Sequence, residues 1–341
     1  MLKNMIELLG LVLLSFAVTS FFMVPFIDFL YFLRTKYRKP IPKGYNDTAT
    51  PIHNKLLAGK DLETPVGGGI ILIILVTIFI SFYVRLFGTG QPAYLLVLLF
   101  AFLSFAFIGL LDDVRKILTA FNGKFPGIRG RYILILQLLF AFLTSLGLFY
   151  IVGINNIFIP VLGNYILGYW YIPFATFVIV SFSNAYNVSD GLDGLSTGLL
   201  LICLFALLVL TSATLNLTLA SFIGIWLGSL FAFLYFNIYP ARIYLGDAGS
   251  LSFGATLAVI GLLTGKILAL AVIGGVYILI LLSSALQIIS KRFLGKKILP
   301  VTPLHMYLRY IGWEEPKIVM RFWLTGAIFA IFGLWIALLS G

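Results

Sequence analysis

Predominantly apolar runs of about 20 residues recur along this whole chain, and such runs are the signature of helices that cross a bilayer. The first extends from Leu8 to Leu33. Inside lipid every backbone N–H and C=O must bond within the protein, so only helices and closed barrels can span. The apolar blocks are long, not alternating segments of about ten residues, which excludes a β-barrel. Of 341 residues, 61% are hydrophobic and 10% charged, with a mean hydropathy of +1.09. A soluble domain carries about a quarter charged residues. A soluble enzyme, a disordered chain and a secreted disulfide scaffold are therefore excluded. The lone Cys203 allows no internal disulfide, and two histidines cannot build a Cys/His metal cluster. The apolar stretch after Lys3 is too long for a signal peptide and reads as a first span.

The class is an all-α integral membrane protein of one domain, residues 1–341. Ten spans are expected, near 7–33, 67–87, 93–111, 132–152, 169–186, 197–213, 217–236, 249–264, 267–290 and 319–340, the eighth being short. Part-alternation over 153–168, with Gly163-Asn164 at a turn, suggests a small hairpin between spans 4 and 5. With residue 1 outside, the cytosolic loops hold 19 of the 23 basic residues, so the positive-inside rule puts both termini outside. The net charge of +11 then reports loop orientation and anionic partners, with no nucleic acid implied.

The acids carry more information. Asp112, Asp113, Asp190, Asp193 and Asp247 fall where spans 3, 5 and 7 meet the cytosol. Such a group of carboxylates would repel itself unless a cation neutralised it. Asp112-Asp113-Val114-Arg115-Lys116 ends span 3, and Lys116 shares a face with the acids if the helix continues. Carboxylate beside ammonium suits a site for a metal and a phosphate together; otherwise it is an intrahelical ion pair. Asn184, Asn187, Asp190 and Asp193 recur every three residues, a polar stripe turned from lipid, with Gly191 and Gly194 allowing close approach. Gly246-Asp247-Ala248-Gly249-Ser250 leads into span 8, where Asp247 could ligate a cation or simply cap the helix. Tyr244 could stack on a base or anchor at the interface. His305 and Arg309 lie four apart in the last cytosolic loop. Thr64-Pro65-Val66-Gly67-Gly68-Gly69, after His53, Lys55 and Lys60, reads as a helix break or a flexible linker.

Together these motifs resemble the polyprenyl-phosphate N-acetylhexosamine-1-phosphate transferases, whose marks are DDxxK, NxxNxxDGxDGL, GDxGS and a histidine-bearing loop. The order is kept over nearly the whole chain. Pro303-Leu304-His305 and Gly312 through Trp323 look like the phospho-N-acetylmuramoyl-pentapeptide transferase branch. Two departures stand out. His305 is followed by Met306 and Tyr307 where the branch has three histidines, and the family lysine could match Lys55 or Lys60.

The resemblance implies a Mg²⁺-dependent transfer of a phospho-N-acetylhexosamine from its UDP-sugar to undecaprenyl phosphate, at the cytosolic face of the inner membrane. UDP-N-acetylglucosamine is the alternative donor, and a homodimer is compatible with the chain. On that resemblance Asp112, Asp113, Lys116, Asp247 and His305 are catalytic. Asn184, Asn187, Asp190, Gly191, Leu192, Asp193, Tyr244 and Ser250 meet the donor, and Asp247 with Asp190 holds the metal. An aromatic prenyltransferase would need two three-aspartate motifs. A CDP-alcohol phosphotransferase would continue Asp-Gly-x-x-Ala-Arg. A secondary transporter would place polar groups at mid-membrane, for which only Gln137 and Gln287 are candidates.

Overall fold

A computed structural model describes residues 2–34, 64–88, 90–120, 127–160, 162–213 and 216–339. His53, Lys55, Lys60 and Glu63 lie outside these residues. The described chain is almost wholly helical: α1 (Leu2–Arg34), α2 (Gly68–Phe87), α3 (Pro92–Ala120), α4 (Gly130–Leu146, continued by a π-helical turn over Gly147–Val152), α5 (Tyr171–Ser189), α6 (Leu195–Ala213), α7 (Leu217–Asn237), α8 (Asp247–Leu263), α9 (Ile267–Ile273), α10 (Gly275–Phe293), α11 (Leu304–Tyr310) and α12 (Glu315–Leu338). Between α4 and α5 lies the expected hairpin, β1 (Asn156–Ile159) against β2 (Gly163–Ile166), with Asn156 opposite Ile166 and Ile159 opposite Gly163. The turn precedes Gly163, which with Asn164 opens β2.

Among the described residues, eight helices are long and apolar enough to cross a membrane by length and composition. The chain is an all-α integral membrane protein. Two of the ten expected spans are not among the eight, for separate reasons. α8 has 17 residues, about 25 Å of helix. α5 has 19 but carries Ser183, Asn184, Asn187 and Ser189. α8 is an inner helix, buried from Ala248 to Leu263, and α5 is buried over most of its length with Phe177 exposed, so neither must match the lipid thickness alone. Small residues make this packing possible, as membrane helices require. A side chain at Gly109 of α3 would strike the Asp247 carbonyl at 2.1 Å, and one at Gly69 of α2 would meet Gly249 Cα at 2.4 Å.

The ninth expected span is corrected. It breaks at Gly274 into α9 and α10, where a Cβ on Gly275 would lie 2.8 Å from the Phe329 ring. The third is longer than expected and runs on through Lys116, which sets the geometry of the acidic motif. The stretch 64–69 is no flexible linker. Gly67 and Gly68 donate to the Tyr244 carbonyl, Gly69 to that of Leu245, and Tyr244 donates to that of Pro65.

Candidate active site

Because α3 continues past Asp113, Asp112 and Lys116 fall one turn apart and pair at 2.8 Å. Lys116 Nζ also pairs with Asp247 Oδ2, so one ammonium ties the end of α3 to the start of α8. Asp112 Oδ1 accepts from Ile128 N–H at 2.5 Å. Asp113 is buried and turns the other way. Its carboxylate accepts from Asp247 N–H (3.2 Å) and Ala248 N–H (3.0 Å) and so caps α8 from another helix. The α8 amides favour negative charge there. From α5, Asn187 Nδ2 donates to Asp247 Oδ1 (3.2 Å) and to Ser250 Oγ (2.7 Å). Every carboxylate oxygen of Asp112, Asp113 and Asp247 is thus engaged.

The polar stripe of α5 disperses. Asn184 donates to Gln137 of α4 at 2.9 Å. Asp190, the second expected metal ligand, accepts from Ser196 Oγ at 2.5 Å. Asp193 is buried and accepts from Ala241 N–H at 3.0 Å. Gly191 is exposed and Leu192 buried. His305 of α11 is buried, and its ring stands so close to Gly191 that a Cβ there would lie 2.6 Å from Nε2.

A further support was not foreseen. Buried Glu315, at the start of α12, accepts from Asp193 N–H (2.8 Å) and pairs with Arg309 (2.9 Å). Arg309 is therefore engaged by a carboxylate. Thr64 Oγ1 donates to the Ala241 carbonyl (3.1 Å) and Asn237 Nδ2 to that of Ile243 (2.9 Å). The loop before α8 is held directly by Thr64, the start of α2, Asp193 and Asn237 of α7. Gly246, at φ +83, makes the turn into α8 that aims Asp247 at Lys116.

Among the described residues no three His, Cys, Asp or Glu side chains form a group able to hold a metal. Mg²⁺ usually takes only one or two carboxylates, with phosphate and water completing its shell. Asp112 and Asp247 already converge on one cation, the Lys116 ammonium. This hard-oxygen pair fits such an ion.

Residues 95–265, about half the chain, match the model of "Glycosyl transferase family 4". The chain belongs to this family. Its relatives include a phospho-N-acetylmuramoyl-pentapeptide-transferase of Shouchella clausii, 34% identical over 96% of this chain and 97% of that one. Proteins of the same name from Thermodesulfovibrio yellowstonii (36% identical, 81% and 80% covered) and Borrelia garinii (34%, 79% and 80%) are also similar. The matched region contains α3, α5 and the start of α8, which together carry the acidic cluster.

Proposed function

We propose that this chain transfers phospho-N-acetylmuramoyl-pentapeptide from its UDP-linked form to undecaprenyl phosphate, releasing UMP, in the synthesis of lipid-linked peptidoglycan precursors. The observation that carries the reading is the Lys116 ammonium shared by Asp112 and Asp247, joining two helix ends in a family whose similar members bear that transferase name.

In this reading an oxygen of the lipid phosphate forms a bond to the sugar-bearing phosphorus, and the bond from that phosphorus to UMP breaks. The nucleophile is already anionic, so the protein's work is to position the phosphates and offset their charge. Lys116 steadies phosphate oxygens between α3 and α8. Asp112 takes up the proton of any acceptor that arrives protonated. Asp113 holds the α8 N-terminus, and Asn187 meets the sugar-phosphate beside Ser250. Uracil lies over exposed Gly191 and half-buried Tyr244, with Leu192 and Asp193 behind and His305 at its edge. Asp247 with Asp112 would hold Mg²⁺, which when bound supplies charge neutralisation to the phosphates.

The cluster serves a cytosolic nucleotide and a headgroup-level phosphate only at the inner face of the cell membrane. Ten crossings with both termini outside, α5 and α8 included, satisfy the basic-residue asymmetry. The test offers purified protein UDP-N-acetylmuramoyl-pentapeptide and UDP-N-acetylglucosamine separately, each with undecaprenyl phosphate, and measures UMP. Release with the first only, and only when the lipid is present, is expected. Release with the second alone would move the chain to another cell-surface glycan.

A further inference from the structure

One turn at the site end of the bundle is built with care and has no part in the transfer chemistry. α10 ends at Phe293, and the chain doubles back along it before α11 brings His305 to Gly191. Three side chains of α10 clamp this return. Gln287 donates to the Leu299 carbonyl (2.7 Å), and its Oε1 accepts from Ile298 N–H (2.9 Å) and Leu299 N–H (3.1 Å). Ser290 Oγ donates to the Lys296 carbonyl (2.8 Å), and Ser283 Oγ accepts from Leu304 N–H (3.0 Å). Gln287 is therefore a loop clamp, not part of a transport path.

What the clamp displays is of two kinds. Lys291, Arg292, Lys296 and Lys297 are all exposed. Between them Phe293, Leu294 and Ile298 are 76%, 71% and 59% exposed. No Asp or Glu occurs between Asp247 and Glu314, and none of the four cations is ion-paired among the described residues. The apolar members continue the exposed face of α10 formed by Leu286 and Ile289. A fixed apolar tip ringed by cations matches an interface with acyl chains beneath and phosphates around.

We propose that residues 291–298 are a wedge that binds anionic phospholipid headgroups in the leaflet on the active-site side. Phe293, Leu294 and Ile298 enter the acyl boundary, and the four cations meet lipid phosphates. The wedge adjoins the His305 segment, so it also enriches phosphate-headed lipids beside the site. That consequence for the acceptor rests on the transferase reading. The binding does not, and the test reads binding without turnover.

Full-length protein in a non-ionic detergent is titrated separately with phosphatidylglycerol, phosphatidylcholine and inorganic phosphate, and bound lipid is counted by native mass spectrometry. Phosphatidylglycerol should bind about tenfold tighter than phosphatidylcholine, and each of K291Q, R292Q, K296Q and K297Q should weaken it by up to about fivefold. The fourfold variant should lose the preference, and inorganic phosphate should not compete. A fourfold variant that keeps the wild-type preference would overturn the proposal. So would competition by inorganic phosphate, which would mean a free-anion site. A second measurement covers a variant that fails to fold. Cys203 is buried, so a polarity-sensitive dye on Leu294→Cys reports the wedge alone. Its emission should shift further to the blue in phosphatidylglycerol vesicles than in phosphatidylcholine vesicles; equal shifts would refute anionic recognition.

Discussion

At the scale of single residues, the site is a lattice in which one ammonium separates carboxylates. Lys116 stands between Asp112 and Asp247, so replacing it without charge, as in Lys116→Met, leaves those acids facing each other. A divalent ion should then relieve the repulsion. Added Mg²⁺ is expected to raise the melting temperature of Lys116→Met more than that of the wild type, as read by thermal unfolding in detergent. Asp247→Ala should fold, because the α8 amides remain capped by Asp113, yet lose turnover by about 10²-fold or more. Near-normal UMP release by that variant at saturating Mg²⁺ would remove Asp247 from the metal role. Glu315 is a positioning residue, since it touches Asp193 N–H and Arg309 and not the proposed substrates. Glu315→Ala should raise the donor KM severalfold with little change in kcat. Glu315→Gln keeps an oxygen for Asp193 N–H and should recover most of the loss. Equal effects on the donor and acceptor KM values would mean a general structural role.

At the scale of elements, the acids meet because three helix ends are pressed together by residues without side chains. Gly109 touches the carbonyl of Asp247 itself, so the closeness of α3 and α8 and the position of the metal candidate are one fact. Gly109→Ala must push α8 away. Overpacking of this kind costs about 1–3 kcal/mol, so both melting temperature and activity should fall. Gly10→Ala is the control: nothing lies within 4 Å of a Cβ there, and neither quantity should change. Ala favours a helix over Gly, so a drop at both positions would mean that an added methyl anywhere in the bundle, not closeness to α8, governs the response. The polar stripe of α5 shows the same dependence on element geometry. Steps of three drift by about 60° around a helix, and α5 ends at Ser189. Asn184 therefore looks toward α4 and Asn187 toward α8, while Asp190 and Asp193 follow the loop.

At the scale of the whole molecule, polar and apolar faces are divided between inner and outer helices. α8 sits inside, buried along its length, while α1, α4 and α12 expose Phe21, Ile135 and Ile331 to the surroundings, as α5 does Phe177. The site and the hairpin lie at opposite ends, because α4 starts near Ile128 beside Asp112 and runs away from it to β1. The hairpin is tied to the α8–α9 turn by Lys266, whose Nζ sits 4.1 Å from the Phe158 ring centroid. Orientation follows from one labelling experiment. In intact cells, a membrane-impermeant thiol reagent should modify Tyr165→Cys in the hairpin and spare Lys296→Cys. The reverse pattern would invert the topology and take the site away from cytosolic nucleotide.

Apolar run length and the sparseness of charge sufficed to declare a helical membrane protein, and residue types at fixed spacing sufficed to carry a family resemblance that implied the reaction class, since both are local properties of the chain. Which acid meets which partner was not local. Asp113 as a cap for α8, Glu315 as the support of Asp193, the break at Gly274 and the close approach at Gly109 each join residues far apart in sequence or depend on where a helix stops. Backbone proximity and hydrogen-bond satisfaction exist only once the helices are packed, so tertiary structure alone could assign them.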